Sequence, residues 1–266
     1  MGRSGNSINV ISRESGSGAR SSFIELFGIQ ERTETGGRID RTSRDAVVVN
    51  RAGVMLTTVA NDPNAIGYIS LASLNHRVRA VNIDGVKPTV ENVISGAYPI
   101  ARPFNIVTTV EPSELTGVSL DFINFILSAE GQAIASHDYM SAIIDAPIFS
   151  GTQPSGRIVV GGSSSVTPVM ESLIEAYLII NPNAYIEIQS INSTTGVTGT
   201  IDGIFHIGMV SRQLRGDEHD FLTETAIAID VFAIIVNARN SLTGLTTQQA
   251  REIFTGQTTS WNEVSP

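Results

Sequence analysis

Two patterns predict an α/β fold with mostly parallel sheets. Short apolar runs of strand type alternate with segments of helical periodicity, and three strand ends pass into Gly- and Ser-rich loops that open helices. At 266 residues and 41% apolar content, the chain is long enough for two modest domains or one large one.

Residues 1–7 are polar and Gly/Ser-rich and read as a loose terminus. Residues 8–12 (INVIS) form a buried-type strand, and after Arg13-Glu14-Ser15-Gly16-Ser17-Gly18-Ala19-Arg20 a helix follows over 21–28, with Phe23, Ile24 and Phe27 on one face. Residues 31–44 are polar and read as a loop or short helix. Residues 45–50 and 53–59 are Val-rich and strand-like, and Asn61-Asp62-Pro63-Asn64 is a turn. Buried runs at 66–73 and 78–83 precede a turn at Asp84-Gly85, a short helix over 89–95 and an extended segment over 104–110. Residues 121–128 are apolar on one helical face, and 129–136 continue that helix; 147–155, rich in Pro, Gly and Ser, reads as a linker.

A strand at 157–160 leads into Gly161-Gly162-Ser163-Ser164-Ser165-Val166-Thr167-Pro168, followed by a helix with Val166, Met170, Leu173 and Tyr177 on one face. Asn181-Pro182-Asn183 ends it. A strand at 185–189 and a third hydroxyl-rich helix start, 192–198, come next; strands at 207–210 and 226–237 follow, and a helix over 246–254 opens with a Thr246/Gln249 capping box. Trp261 lies near a turn. Helix N-termini present backbone N–H groups and positive dipole charge, which suits a small anion, and in α/β folds ligands sit at the carboxyl ends of strands, where all three loops fall. Each loop read alone is equally an ordinary capped helix start. Arg13 is able to fork two N–H groups onto an oxyanion, or to pair with Glu14 or Glu25.

The formal net charge of −9 offers no basic stripe and argues against a nucleic-acid partner, while leaving room for a small anion in a buried site. The absence of Cys excludes a disulfide framework, a thiol nucleophile and a thiolate metal site. No apolar run approaches membrane-spanning length and no signal-peptide pattern is present, so the chain as given reads as soluble; a leader removed from the parent leaves compartment open. Serines are plentiful, but no G-x-S-x-G elbow occurs and His76, His137, His206 and His219 lie outside the Ser loops, which argues against a serine hydrolase or phosphatase. Asp217-Glu218-His219-Asp220 has a metal-like composition but reads as a solvated turn.

Taken together, GGSSSVTPVMESLIEAY, INSTTGVTGTIDG, IGMVSRQL, AIAIDVFAIIVN, LTTQQAREIFTGQTTSWNEV, INVISRESGSGARSSF, NAIGYISLASL and LDFINFILSAEGQ resemble the phosphate-binding protein of the bacterial phosphate ABC importer. The segments match in a different order from the family's, so the chain looks like a circular permutant whose former termini are joined near 147–157. The resemblance implies a two-lobed periplasmic-binding-protein fold with two hinge crossovers, near 102–108 and 227–232, and an anion in the cleft. One lobe would be 104–230 and the other 1–103 with 231–266. Hinge closure on ligand is expected to survive the rewiring.

The resemblance further implies a phosphate site made of Ser164, Ser193 and Ser17 hydroxyls, the N–H groups of Ser165, Gly18 and Ala19, and the charged fork of Arg13. Ala19 stands where relatives often carry Thr. Ser211 stands where some carry an Asp that accepts the proton phosphate keeps and sulfate lacks, so selectivity over sulfate or another tetrahedral oxyanion is less secure than oxyanion binding; Asp230 is offered as a replacement acceptor or as a hinge residue. The implied partners are inorganic phosphate and, in the parent, an ABC permease. The implied protein is a monomer, has no cofactor or metal, is extracytoplasmic (periplasmic or lipid-anchored) and has no enzymatic activity. The permuted order also suits a scaffold or sensor.

Overall fold

The computed structural model describes residues 7–33, 38–109, 111 and 115–264. In chain order its elements are β1 (Asn9–Arg13), α1 (Gly18–Leu26), β2 (Gln30–Arg32), β3 (Arg38–Asp40), β4 (Val47–Val49), α2 (Ala52–Asn61), β5 (Ala65–Ser70), β6 (Val78–Ala80), β7 (Asn82–Ile83), α3 (Val90–Ile94) and β8 (Ala101–Thr108). They continue with α4 (Gly117–Ile126), α5 (Ala129–Ala135), β9 (Met140–Ser141), β10 (Gly156–Ser163), α6 (Thr167–Ile180), β11 (Ala184–Ile191), α7 (Ser193–Ile201), β12 (Ile207–Val210), β13 (Thr223–Asn237), β14 (Gly244–Leu245) and α8 (Thr247–Thr255). Residues 1–6 of the terminus read as loose, and Val110 at the end of the predicted extended segment, lie outside the described residues.

The chain separates into two units. One is Met1–Ser15, Ala19–Ala101 and Val231–Pro266; the other is Gly16–Gly18 and Arg102–Asp230. Strands β8 and β13 run through both boundaries. In the first unit β1 is central, parallel to β4 on one side and to β5 on the other, and β5 pairs antiparallel with the second half of β13. The second unit repeats the plan: β10 is central, parallel to β11 and β12, and β12 pairs antiparallel with β8. The α/β class is as predicted, but the pairing is mixed rather than mostly parallel. An apolar run does not carry its own direction, and the two strands shared by the units pair antiparallel in each.

Burial explains the helices. Val166, Met170, Leu173 and Tyr177 are buried in the core of the second unit with Phe104, Phe122, Phe125, Ile207 and Met209. In the first unit Phe23 stacks on Tyr68 with ring centroids 3.9 Å apart, and Phe254 meets Phe23 edge-on at 4.6 Å. The strand-like reading of 53–59 is corrected: this is helix α2. Met55 and Val59, one turn apart, are its buried residues, and they lie over Gly67 of β5, where a Cβ would stand 2.5 Å from the Met55 sulfur. Packing overrides the β-branched composition. The polar stretch 31–44 supplies β2 and β3, an antiparallel pair. The helix expected to continue over 129–136 is broken, because Ser128 accepts the Gly131 N–H and caps a separate α5.

The 147–155 segment is strapped down rather than loose. Thr152 N–H and Tyr177 O–H both donate to Asp121, at 2.8 Å each, Asn181 donates to the Pro154 carbonyl, and Phe149 packs edge-on against Phe125 at 5.2 Å. Asp121→Ala is expected to lower the unfolding free energy by about 2–3 kcal/mol, from the lost charge-assisted bonds. It should also speed proteolysis within 147–155. Urea denaturation and limited digestion check this, and unchanged cleavage would remove Asp121 as the latch.

Candidate functional site

Because β10, β11 and β12 are parallel, their carboxyl ends fall at one edge of the sheet, and the Ser loops follow from those ends. Helix α7 reaches that edge by backbone contact. Gly162 has φ of +138°, and a Cβ on it would stand 2.3 Å from the Met209 carbonyl and 2.9 Å from the Gly196 Cα. A Cβ on Gly196 would stand 2.6 Å from the same carbonyl. Glycine at both positions lets the first turn of α7 lie directly on β10 and β12. The Asn192 side chain caps that turn by accepting the Thr195 N–H at 2.9 Å.

This approach sets Ser193, the first residue of α7, beside Ser211, which follows β12. Ser193 Oγ accepts the Ser211 N–H at 3.1 Å, and the two hydroxyls are 3.4 Å apart. Ser163, at the end of β10, donates to Ser211 Oγ at 2.9 Å and accepts the Ser165 N–H at 3.3 Å. Ser163, Ser164, Ser165, Ser193 and Ser211 are all buried. The Gly16–Gly18 loop packs on the same cluster: Thr194 N–H donates to the Gly16 carbonyl at 3.1 Å, and a Cβ on Gly18 would come within 2.2 Å of Ser193 Oγ and 2.7 Å of Ser211 Oγ. Ser17 is buried beside it. Six of the eight residues expected from sequence, Ser17, Gly18, Ser164, Ser165, Ser193 and Ser211, therefore belong to one unit.

Arg13 and Ala19 belong to the other unit, where both are buried. Arg13 is held on every side: its N–H donates to Tyr68 Oη at 3.1 Å, its carbonyl accepts from Arg20 at 2.6 Å, and its Nε and Nη2 fork onto Glu14 at 3.0 and 3.1 Å. Burial pushes the Tyr68 phenol up, against smaller opposing contributions from Ser12 and Arg13, so it remains a neutral hydrogen-bonding partner.

Asp230 is buried against Arg102, which reaches it through Nε at 3.0 Å and Nη2 at 2.9 Å, and Arg102 Nη1 donates to the Ser211 carbonyl at 3.4 Å. Asp230 is thus an ion-pair partner of Arg102 within the second unit. Asn105 donates to the next carbonyl, that of Arg212, at 3.1 Å. Sequence reasoning missed Ser163 and Arg102. Ser163 sat unremarked in a run of three serines, and only its place as the last residue of β10 turns it toward Ser211. Arg102 carried no sequence signal beyond its charge.

The four histidines are exposed, unlike the buried serines. In the Asp217–Asp220 turn, burial raises the Glu218 pKa, but bonds from Arg212 and Arg215 outweigh it and hold the carboxyl below its ordinary value. Among the described residues no group of three or more His, Cys, Asp or Glu is placed to hold a metal ion, and no helix is long and apolar enough to cross a membrane.

A family model described as a PBP superfamily domain matches residues 2–130 and 149–266. The phosphate-binding protein PstS 2 of Streptococcus agalactiae serotype V is 46% identical over 259 residues, covering 97% of this chain and 88% of the relative. The chain belongs to this family. PstS 2 of Streptococcus pneumoniae serotype 4 is 40% identical over 258 residues, covering 97% of this chain and 87% of the relative. A crystal structure of a phosphate ABC transporter phosphate-binding protein from Streptococcus pneumoniae TIGR4 superposes with a TM-score of 0.76 at 40% identity, covering 97% of this chain and all of that one. This likeness carries the two-lobed α/β fold class of the family.

Removing Asp230 alone leaves Arg102 buried without its counter-charge. Asp230→Ala is expected to destabilise by about 3–5 kcal/mol, and the double change Arg102→Met with Asp230→Leu to recover most of that. Urea denaturation of the three proteins checks it; equal loss in single and double variants would count against the pairing.

Proposed function

We propose that this chain binds inorganic phosphate without catalysing any reaction, as the extracytoplasmic solute-binding component of an ABC-type importer. The observation that carries this reading is the buried hydroxyl cluster at the carboxyl ends of three parallel strands, in a chain 46% identical to a phosphate-binding protein. Hydroxyls and helix-start N–H groups recognise a small oxyanion, and nothing in the cluster is arranged as a nucleophile with its base.

In this reading Ser164, Ser193 and Ser17 give hydroxyl donors and Ser165, Gly18 and Ala19 give N–H donors. Ser211 completes the cluster, and Arg13 supplies the charge. Ser165 N–H is turned to Ser163 Oγ in the structure described above, so its donation to phosphate involves exchanging that partner. A permease is the partner for delivery, and the working form is a monomer. Ser211, standing where some relatives carry a carboxylate, favours a second reading, a receptor that also accepts sulfate, because a neutral hydroxyl does not repel the fully ionised anion.

The permuted order is part of the proposal. One observation makes it feasible: Ser7 bridges Ser260, with Ile8 N–H donating to the Thr259 carbonyl at 2.7 Å, which sets these two segments side by side. Segments that close tolerate being joined. A chain opened between 147 and 157 and closed from 264 to 7 by a short linker is expected to fold and to bind phosphate with unchanged stoichiometry. Loss of folding would count against it.

Calorimetric titration of anion-stripped protein with phosphate is expected to show one-to-one binding. Arg13→Ala should weaken it by about 2 kcal/mol or more, roughly thirtyfold. Gly18→Ala should abolish it while leaving the protein folded, since the new methyl would enter the space of two hydroxyls. No heat with phosphate would overturn the reading.

A further inference from the structure

We propose that Arg20 is a positioning residue that staples the two ends of the 13–20 loop and so holds that loop in its binding shape before phosphate arrives. The inference rests on the phosphate reading above and deepens it, since Arg13, Ser17, Gly18 and Ala19 all lie on this loop. Arg20 stands in the first turn of α1, a turn with no acidic residue. A cation there opposes the helix dipole, so helix stability does not account for it. Its side chain turns back instead. Arg20 Nη1 donates to the Arg13 carbonyl at 2.6 Å, closing the loop across seven positions.

The peptide that leaves Arg13 is thereby pinned at both of its polar groups. Its carbonyl is held by Arg20, and the Glu14 N–H donates to the Val49 carbonyl at 3.1 Å. On the other side of the residue, the Arg13 N–H donates to Tyr68 Oη at 3.1 Å. Arg20 is in turn aimed by Asp40. Asp40 Oδ2 accepts the Arg20 Nε–H at 2.7 Å, while Oδ1 accepts the Thr42 N–H at 2.8 Å and the Thr42 hydroxyl at 2.6 Å. Burial raises the Asp40 pKa, but the bonds from Thr42 and Arg20 outweigh it and hold the carboxyl below its ordinary value. The planar fork of a guanidinium serves the carboxylate and the carbonyl at once. A loop whose ends are tied has less freedom to lose when it orders around a ligand, and what is not lost remains as affinity.

The test is calorimetric titration with phosphate of the wild type, Arg20→Met, Asp40→Asn and the double variant, each under conditions where urea denaturation shows it folded. Arg20→Met is expected to weaken binding on the order of tenfold, and Asp40→Asn about threefold. The double variant should bind no more weakly than Arg20→Met, because Asp40 acts through Arg20. The Arg20→Met loss should be the same at about 0.05 M and about 0.5 M salt, whereas the loss of a distant charge's attraction would fade as salt rises. Wild-type affinity in Arg20→Met, a loss that salt erases, or single losses that multiply in the double variant would each overturn the inference and leave the phosphate reading standing. Should Arg20→Met not fold, Asp40→Asn decides alone, and wild-type affinity there would overturn the inference. A wild type that binds no phosphate would overturn the phosphate reading, and this inference with it.

Discussion

Gly162 and Gly196 meet with nothing between their backbones, and the serine cluster depends on that contact. Any side chain at either position would strike the Met209 carbonyl, so α7 would have to lift away from β10 and β12. Ser193 would then leave the Ser211 N–H, a bond of 3.1 Å that joins the first residue of a helix to the residue after a strand. The hydroxyl-rich loops are conspicuous, but it is the bare backbone beneath them that brings two of those hydroxyls within bonding distance.

Around this contact the polar groups are interlocked. Ser211 is bonded through its N–H, its carbonyl and its hydroxyl, and Arg102, which holds the carbonyl, is neutralised by Asp230. A buried guanidinium and carboxylate gain little net stability as a pair, yet either one alone would be costly, so the two act as one part. Arg13 in the other unit is built on the same principle, with its N–H, carbonyl and guanidinium each assigned a partner. Pre-assigned partners reduce the freedom that a binding group would otherwise lose when it meets a ligand.

Much of this was legible in the sequence. The face of Val166, Met170, Leu173 and Tyr177 marked α6, and the Thr246/Gln249 pair marked the start of α8, because spacing and capping are local properties. The helix at Ala52–Asn61 was not legible, since its valines and threonines favour a strand and only Gly67, distant in sequence, offers the surface that Met55 and Val59 cover. The β2 and β3 pair showed no alternation to read, β3 being exposed along its whole length. Among three adjacent serines, no local rule tells which one faces a partner 48 positions away. The strap at 147–155 misled for a related reason: its composition is that of a linker, and its attachment comes from Asp121 and Phe125 on another element.

The division of the chain also orders its assembly during synthesis. Apart from Gly16–Gly18, the second unit is one continuous run, Arg102–Asp230, and all its strands exist once β13 has begun to emerge. The first unit is different. Strand β5 pairs through Phe232–Val236, so its sheet has an open edge until the whole of the other unit has been made. Until β13 is made, β5 has β1 as its partner on one edge and none on the other. Closing the loop over that separation costs chain entropy, so the β5–β13 pair is the long-range step on which the first unit's sheet depends.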